Sequence, residues 1–178
     1  MANIEYGILD IHNENEIVEY EKKLFQDSVS DRDNYYGKKY EIIDNNRLRF
    51  NIPYKDQVIY TARESSGIVA AATVNLNHTK KLQLEEAGFK IEAKMRKKNI
   101  SEMINFYIKN EHEEYTILVS MLCAFILKDL HQKKIEINYT LCPLRLKGVY
   151  LSVGFIELDR KKINDSQICL LMARVTAE

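Results

Sequence analysis

Tryptophan is absent from this 178-residue chain, proline occurs twice and glycine six times. So few breakers leave no stretch that reads as a linker, and the length suits one core, so a single domain over residues 1–178 is predicted. Charge of either sign is not in excess: 26 basic side chains face 26 acidic ones. A neutral balance argues against a surface that coats nucleic acid, and no nucleic-acid partner is expected. No apolar run approaches the roughly 20 residues that a membrane-spanning helix needs; the longest, Tyr115 to Leu127, falls short. The opening MANIEYGILDIHNENE has neither a basic start nor an apolar core, so no secretory signal is read and a cytoplasmic location is expected. Cysteine is scarce too. Cys123, Cys142 and Cys169 each sit among apolar neighbours, the setting of buried reduced thiols. His12, His78, His112 and His131 share no metal-ligand spacing with one another or with cysteine, and H-E-x-x-H, C-x-x-C, G-x-S-x-G and Walker patterns are missing. No metal is expected.

What is present is a regular alternation of short β-rich runs and helical periods. Ile4 to Ile11 reads as a strand, and Asn13 or Asn15 caps a helix with apolar positions Ile17, Val18, Tyr20, Leu24 and Phe25. Residues 31–56 are polar and tyrosine-rich, and read as short helical turns and a variable connection. Gln57 to Glu64 and Ile68 to Leu76 form a hairpin around Ser-Ser-Gly. Residues 79–99 read as an excursion with one helix. Ile100 to Lys109 is a strand, with Met103, Asn105 and Tyr107 on one side and Glu102, Ile104, Phe106 and Ile108 on the other. A long helix covers Glu113 to Gln132, with acids first and Lys128 and His131 last. Ile135 to Leu141 is a strand, Pro143 opens a short helix to about Ser152, and Gly154 ends it. Phe155 to Asp159 and Gln167 to Thr176 close the chain as an antiparallel pair. The order predicts an α/β fold: a mixed, twisted central sheet flanked by helices, with a closing antiparallel strand pair.

One local motif resembles a known family. Acyltransferases of the GNAT fold often carry A-x-x-L-Y-x-x-x-G-F between their fifth and sixth strands. Here Leu146 and Val149 stand in the alanine and leucine places, and Tyr150, Gly154 and Phe155 match outright. Acetyltransferases of this fold usually have R/Q-x-x-G-x-G/A before the long helix, where backbone amides hold the coenzyme A pyrophosphate. The equivalent stretch, Glu113-Glu114-Tyr115-Thr116-Ile117-Leu118, has no glycine or arginine, and Pro143 replaces a common asparagine. The stretch Ser101-Glu102-Met103-Ile104-Asn105-Phe106-Tyr107-Ile108 is similar instead to E-x-S-R-F/L-x-V of acyl-homoserine-lactone synthases and N-acyl amino acid synthases. Glu102 matches the glutamate and Asn105 replaces the arginine. Asn75-Leu76 stands where lactone synthases tend to carry Arg-Leu, and their acidic and aromatic N-terminal signature is not recognisable in residues 20–56. The N-acyl amine branch therefore fits better than one using S-adenosylmethionine.

The resemblance implies an N-acyltransferase that moves a medium- or long-chain acyl group from a thioester to an amine. The thioester would be the phosphopantetheine of an acyl carrier protein, or coenzyme A, acting as a co-substrate with no tightly bound cofactor. The acceptor would be an amino acid, a small amine or a peptide side chain. Tyr150 is the implied acid for the departing thiolate, and Glu102 the base or amine-orienting group. Backbone amides near Phe106, Tyr107 and Ile108 would hold the thioester carbonyl, and Thr116 and Ile117 would lie against the donor. Asn75 and Asn105 would bind the acceptor, and Met103, Met121 and Phe125 would line an acyl tunnel. The basic run Lys94, Arg96, Lys97, Lys98 would dock an acidic carrier protein. Each residue also has a plainer reading, as core side chain, strand polar group or solvated charge. Two rival functions stand beside the first: a catalytically silent domain of this fold that senses a ligand or partner, and an ordinary acetyl-CoA-dependent acetyltransferase.

Overall fold

The computed structural model describes residues 3–30, 40–108, 115–163 and 165–175. Among the described residues, nine strands and five α-helices run in the order β1 (Glu5–Ile8), α1 (Glu14–Ser30), β2 (Tyr40–Asp44), β3 (Arg47–Phe50), β4 (Gln57–Glu64), β5 (Gly67–Asn75), α2 (Gln83–Glu86), α3 (Ala93–Arg96), β6 (Ile100–Ile108), α4 (Tyr115–Gln132), β7 (Ile137–Pro143), α5 (Lys147–Ser152), β8 (Ile156–Ile163) and β9 (Ser166–Arg174). Seven strands make one sheet in the order β1-β4-β5-β6-β7-β9-β8, and β2–β3 forms a separate hairpin. β6 and β7 pair in parallel, and the other neighbours are antiparallel. The mixed sheet, the flanking helices and the closing β8–β9 pair agree with the sequence reading. Residues 40–50 do not: in place of helical turns they form a hairpin around Asn45-Asn46. Asn is a favoured turn residue, the Asn46 N–H is held by the Asp44 carboxylate at 3.0 Å, and Leu48 and Phe50 alternate with Arg47 and Arg49 as a half-buried strand requires. The excursion after β5 holds two short helices rather than one.

Both faces of the sheet are covered. α4 presents Leu118, Val119, Leu122, Cys123, Ile126 and Leu130 at helical spacing to the first face, where they meet Tyr60, Ala62, Ala70, Ala72 and Val74. On the second face, Ile17, Tyr20 and Leu24 of α1 pack over Ile59, Ile68, Ala71 and Ile104, while Leu82, Leu84 and Phe89 cover Ile100, Tyr139 and Leu141. The turn between β4 and β5 fits against α1 because Gly67 has φ +108°, and a Cβ there would lie 2.6 Å from a Glu19 carboxylate oxygen. That oxygen accepts the Ile68 N–H at 2.7 Å.

The second face is tied together by a buried charge. Glu21 of α1 is fully buried and accepts hydrogen bonds from Arg47 (2.9 and 2.5 Å), Arg49 (2.7 Å) and the Tyr54 hydroxyl (2.7 Å). Burial pushes its carboxyl up, but the bonds from Tyr54, Arg47 and Arg49 outweigh it and hold the group below the usual carboxylate range. Three segments, α1, β3 and the turn at Tyr54–Asp56, thus meet on one side chain. Because the folded-state pKa is depressed, the stabilisation is complete at neutral pH and fades as pH falls through the folded-state value. Glu21→Gln should cost about 3 kcal/mol at pH 7 by urea unfolding, the scale for breaking a buried pair. It should also flatten the loss of stability on acidification; an acid limb as steep as that of the parent chain would place the titration elsewhere.

Candidate functional site

The parallel ladder between β6 and β7 is four residue pairs long, from Ile100↔Ile137 to Met103↔Thr140. Beyond it the strands part. β6 continues along β5 to Ile108, while β7 continues along β9 to Pro143. A V-shaped gap therefore opens between Ile104–Ile108 and Leu141–Pro143. Alternate amides of a strand point to alternate sides, so the N–H groups of this part of β6 that do not serve β5 face the gap. Phe106, Tyr107 and Ile108, expected to hold a carbonyl through the backbone, lie on that stretch.

β6 also carries a bulge. Thr73 opposes Asn105 and Val74 opposes Met103, so Ile104 has no partner on β5. The simple alternation expected for this strand is thereby broken. Met103, Phe106 and Ile108 pack on the α4 face, whereas Ile104 and Tyr107 pack under α1. An extra residue shifts the parity of everything beyond it.

Tyr150 stands on the α4 face. Its ring meets Phe106 edge-on at 6.1 Å between centroids and Phe155 at 5.5 Å. The Tyr-x-x-x-Gly-Phe spacing has a physical basis. Gly154 takes φ +92°, the Gly154 N–H bonds the Leu151 carbonyl at 3.2 Å, and the Phe155 N–H returns to the Tyr150 carbonyl at 3.1 Å. This glycine-ended helix stop folds Phe155 back onto Tyr150. The tyrosine is thus held against the very strand that borders the gap.

Glu102, Asn75 and Asn105 share the opposite face. Directly opposed residues of a ladder lie on one side, and the register gives a row Gln57↔Asn75↔Glu102↔Tyr139 across four strands. Glu102 is buried, and its oxygens accept the N–H groups of Gln83 (2.8 Å) and Leu84 (2.7 Å) at the start of α2. Arg63 pairs with Glu19 at 2.8 Å. The Asn75 side chain accepts the Asn77 N–H at 2.9 Å and lines a cavity of about 410 Å³ with Asn51, Pro53, Asp56, Lys80 and Gln83. Beside Asn105, the Thr73 hydroxyl is bonded to the Tyr20 hydroxyl. The sequence reading missed Gln57 and the Tyr20–Thr73 pair, because only the register brings them beside Asn75 and Asn105.

Other expected residues separate. Met121 and Phe125 line an open groove of about 1030 Å³ along α4, but Met103 is buried in the core and does not line it, so the three form no common wall there. Thr116 and Ile117 are exposed in the first turn of α4, while Glu113 and Glu114 lie outside the described residues. Of the basic run, Lys94 pairs with Glu92 at 2.8 Å, Arg96 with Glu85, and Lys98 with Glu136 at 2.9 Å. The patch is largely neutralised, which removes the charge argument for docking an acidic carrier there. Cys142 and Cys169 face each other across β7 and β9, both buried; burial pushes the Cys142 thiol up to about 12. Among the described residues no three His, Cys, Asp or Glu side chains converge on a metal-sized site, and no helix is long and apolar enough to cross a membrane.

No protein-family profile matches this sequence, and no curated protein matches it by sequence. Its likeness to solved structures is extensive. The acyl-homoserine lactone synthase LasI superposes with a TM-score of 0.76 over 99% of this chain and 92% of its own, at 11% identity. The CoA-dependent acyl-homoserine lactone synthase BjaI, solved with SAM and isopentyl-CoA, gives 0.72 over 99% and 84% at 12% identity. An N-acetyltransferase from Staphylococcus aureus Mu50 gives 0.60 over 98% and 99% at 16% identity. The chain therefore has the GNAT acyltransferase fold, in a form shared with acyl-homoserine lactone synthases.

Proposed function

We propose that the protein is an N-acyltransferase, acting as one domain in the cytoplasm, that transfers an acyl group from a thioester to an amine. The observation that carries this reading is the opening between β6 and β7, with Tyr150 on one face and Glu102, Asn75 and Asn105 on the other. A thioester lying in the gap would expose its sulfur to the Tyr150 side and its carbonyl carbon to an amine arriving from the other. The amine nitrogen attacks the carbonyl carbon, and the carbonyl oxygen takes the negative charge beside the β6 amides. The C–S bond then breaks and the thiolate takes the Tyr150 proton; the amine proton passes to solvent, directly or by way of Glu102, and the tyrosinate recovers a proton from solvent. The products are an amide and a free thiol. A tyrosine, with an ordinary pKa of about 10, suits donation to a thiolate.

Coenzyme A is favoured as the carrier by the likeness to the CoA-dependent synthase BjaI, while Lys94, Arg96 and Lys98, each paired with an acid, offer little free charge to an acidic carrier protein. The likeness to BjaI, solved with isopentyl-CoA, supports an acyl group larger than acetyl, and the groove along α4 offers Met121 and Phe125 to the apolar atoms of a medium or long chain. The same likeness keeps S-adenosylmethionine among the acceptors to be tried. Incubation with acetyl-CoA, a long-chain acyl-CoA and the matching acyl carrier protein, each with mixed amines, should yield an acyl-amide by mass spectrometry. Product from acetyl-CoA alone would make the chain an acetyltransferase, and no product with any donor would leave the ligand-sensing reading.

Tyr150→Phe keeps the ring contacts and removes the proton, and should lower turnover about 10- to 1,000-fold; unchanged turnover returns Tyr150 to the core. Glu102→Gln should cost about 1–3 kcal/mol of stability, since one oxygen that accepts a buried amide is lost. Assayed well below its melting temperature, it should also lower turnover about 100-fold or more. Full turnover per folded molecule would assign Glu102 to the start of α2 alone.

A further inference from the structure

The bulge in β6 leaves a buried polar group without a partner beside the proposed site. Asn105 is 8% exposed, and its side-chain amide nitrogen has no hydrogen-bond acceptor among the described residues. A buried donor left unpaired is unfavourable, and few native groups remain so without a reason. Of the polar groups near it, the Thr73 hydroxyl directly across the ladder is bonded to Tyr20, and both oxygens of Glu102 accept amides of α2. An oxygen supplied by a ligand would give the amide its partner. Its charge can be argued as well. Asn105 is a neutral donor on the same face as the buried Glu102 carboxylate, and Lys80 and Lys81 stand at the exposed rim of the neighbouring cavity. A carboxylate brought here would be stripped of water and repelled by Glu102, with one neutral N–H to offset both. A carbonyl oxygen meets neither penalty.

We propose that Asn105 donates a hydrogen bond to the uncharged carbonyl oxygen of the acceptor, which is an amine with a neutral carbonyl next to it, such as an amino-acid amide, an amino-acid ester or a peptide N-terminus, rather than a free amino acid. This rests on the acyltransferase reading, and it assigns that reaction its class of acceptor.

Leucine amide, the dipeptide leucyl-glycine, leucine and isoamylamine share one side chain and differ in the carbonyl. With a thioester donor that supports turnover, kcat/KM should be at least 10-fold higher for leucine amide than for leucine. The ammonium of the amide is more acidic, which favours it in any acylation, so the decisive comparison is the variant. Asn105→Leu should cut kcat/KM about 10- to 100-fold more for leucine amide than for isoamylamine, with a melting temperature equal to or above that of the parent because an unpaired donor is gone. Asn105→Asp, which keeps the shape but not the donor, should lose the same preference. Leucyl-glycine tells a peptide N-terminus from a small amide. Equal rates for leucine and its amide, or a loss shared by all acceptors with a fall in melting temperature, would overturn the proposal. Ligand-observed NMR without a donor separates this from the function itself. Leucine amide bound in preference to leucine, and lost in Asn105→Leu, supports the acceptor assignment even if no acyl group is transferred. No preference in binding refutes it whether or not transfer occurs.

Discussion

The short parallel ladder between β6 and β7 is the constraint on which the site depends. Four residue pairs hold the two halves of the sheet together, and Thr140 adds a hydroxyl bond to the Met103 carbonyl at 3.1 Å where the pairing ends. A longer ladder would close the gap, and a shorter one would leave the halves joined by little. Each strand beyond the fork is stabilised from its outer side, β6 by β5 and β7 by β9. The opening therefore costs few backbone hydrogen bonds, and each of its edges is held by a neighbouring strand.

The two faces divide the labour. The α4 face is apolar apart from a few groups such as Tyr150, which its own helix stop holds against Phe106. The other face carries the polar row, and it is roofed by two separate pieces, α1 with its hairpin and the α2 excursion. Glu21 fixes the first piece through two arginines and a tyrosine, and Glu102 fixes the second through two amides. Two buried carboxylates thus hold the walls of the cavity at Asn75 from opposite sides. Both are paired or bonded, as a buried charge must be.

Some of this was legible in the sequence for physical reasons. Tyr150, Gly154 and Phe155 could be read because a left-handed glycine and the residue after it make a fixed return contact, and fixed contacts leave fixed spacings. The β4–β5 hairpin could be read from its Ser-Ser-Gly turn. The β2–β3 hairpin could not, since its turn has no glycine and two of its strand residues are arginines that pair with a helix some 26–28 positions away. Glu102 looked like an exposed strand carboxylate or half of an ion pair. Two of its partners are backbone amides of α2, which no side-chain pattern encodes. The basic run at 94–98 looked like a patch, because its acids at Glu85 and Glu136 are distant in sequence. The bulge was invisible for a similar reason: alternation in β6 looks regular until β5 sets the register.

That single unpaired residue, Ile104, makes β6 a strand of two parities. Odd and even positions exchange their meaning as the chain passes it. The residues before it that answer to α2 and those after it that answer to α1 and Tyr150 are therefore separate sentences, written in different frames. Substitutions on one side can be read without regard to the other. A lineage could rewrite the end of this strand that meets α2 while the end beside Tyr150 stayed in place.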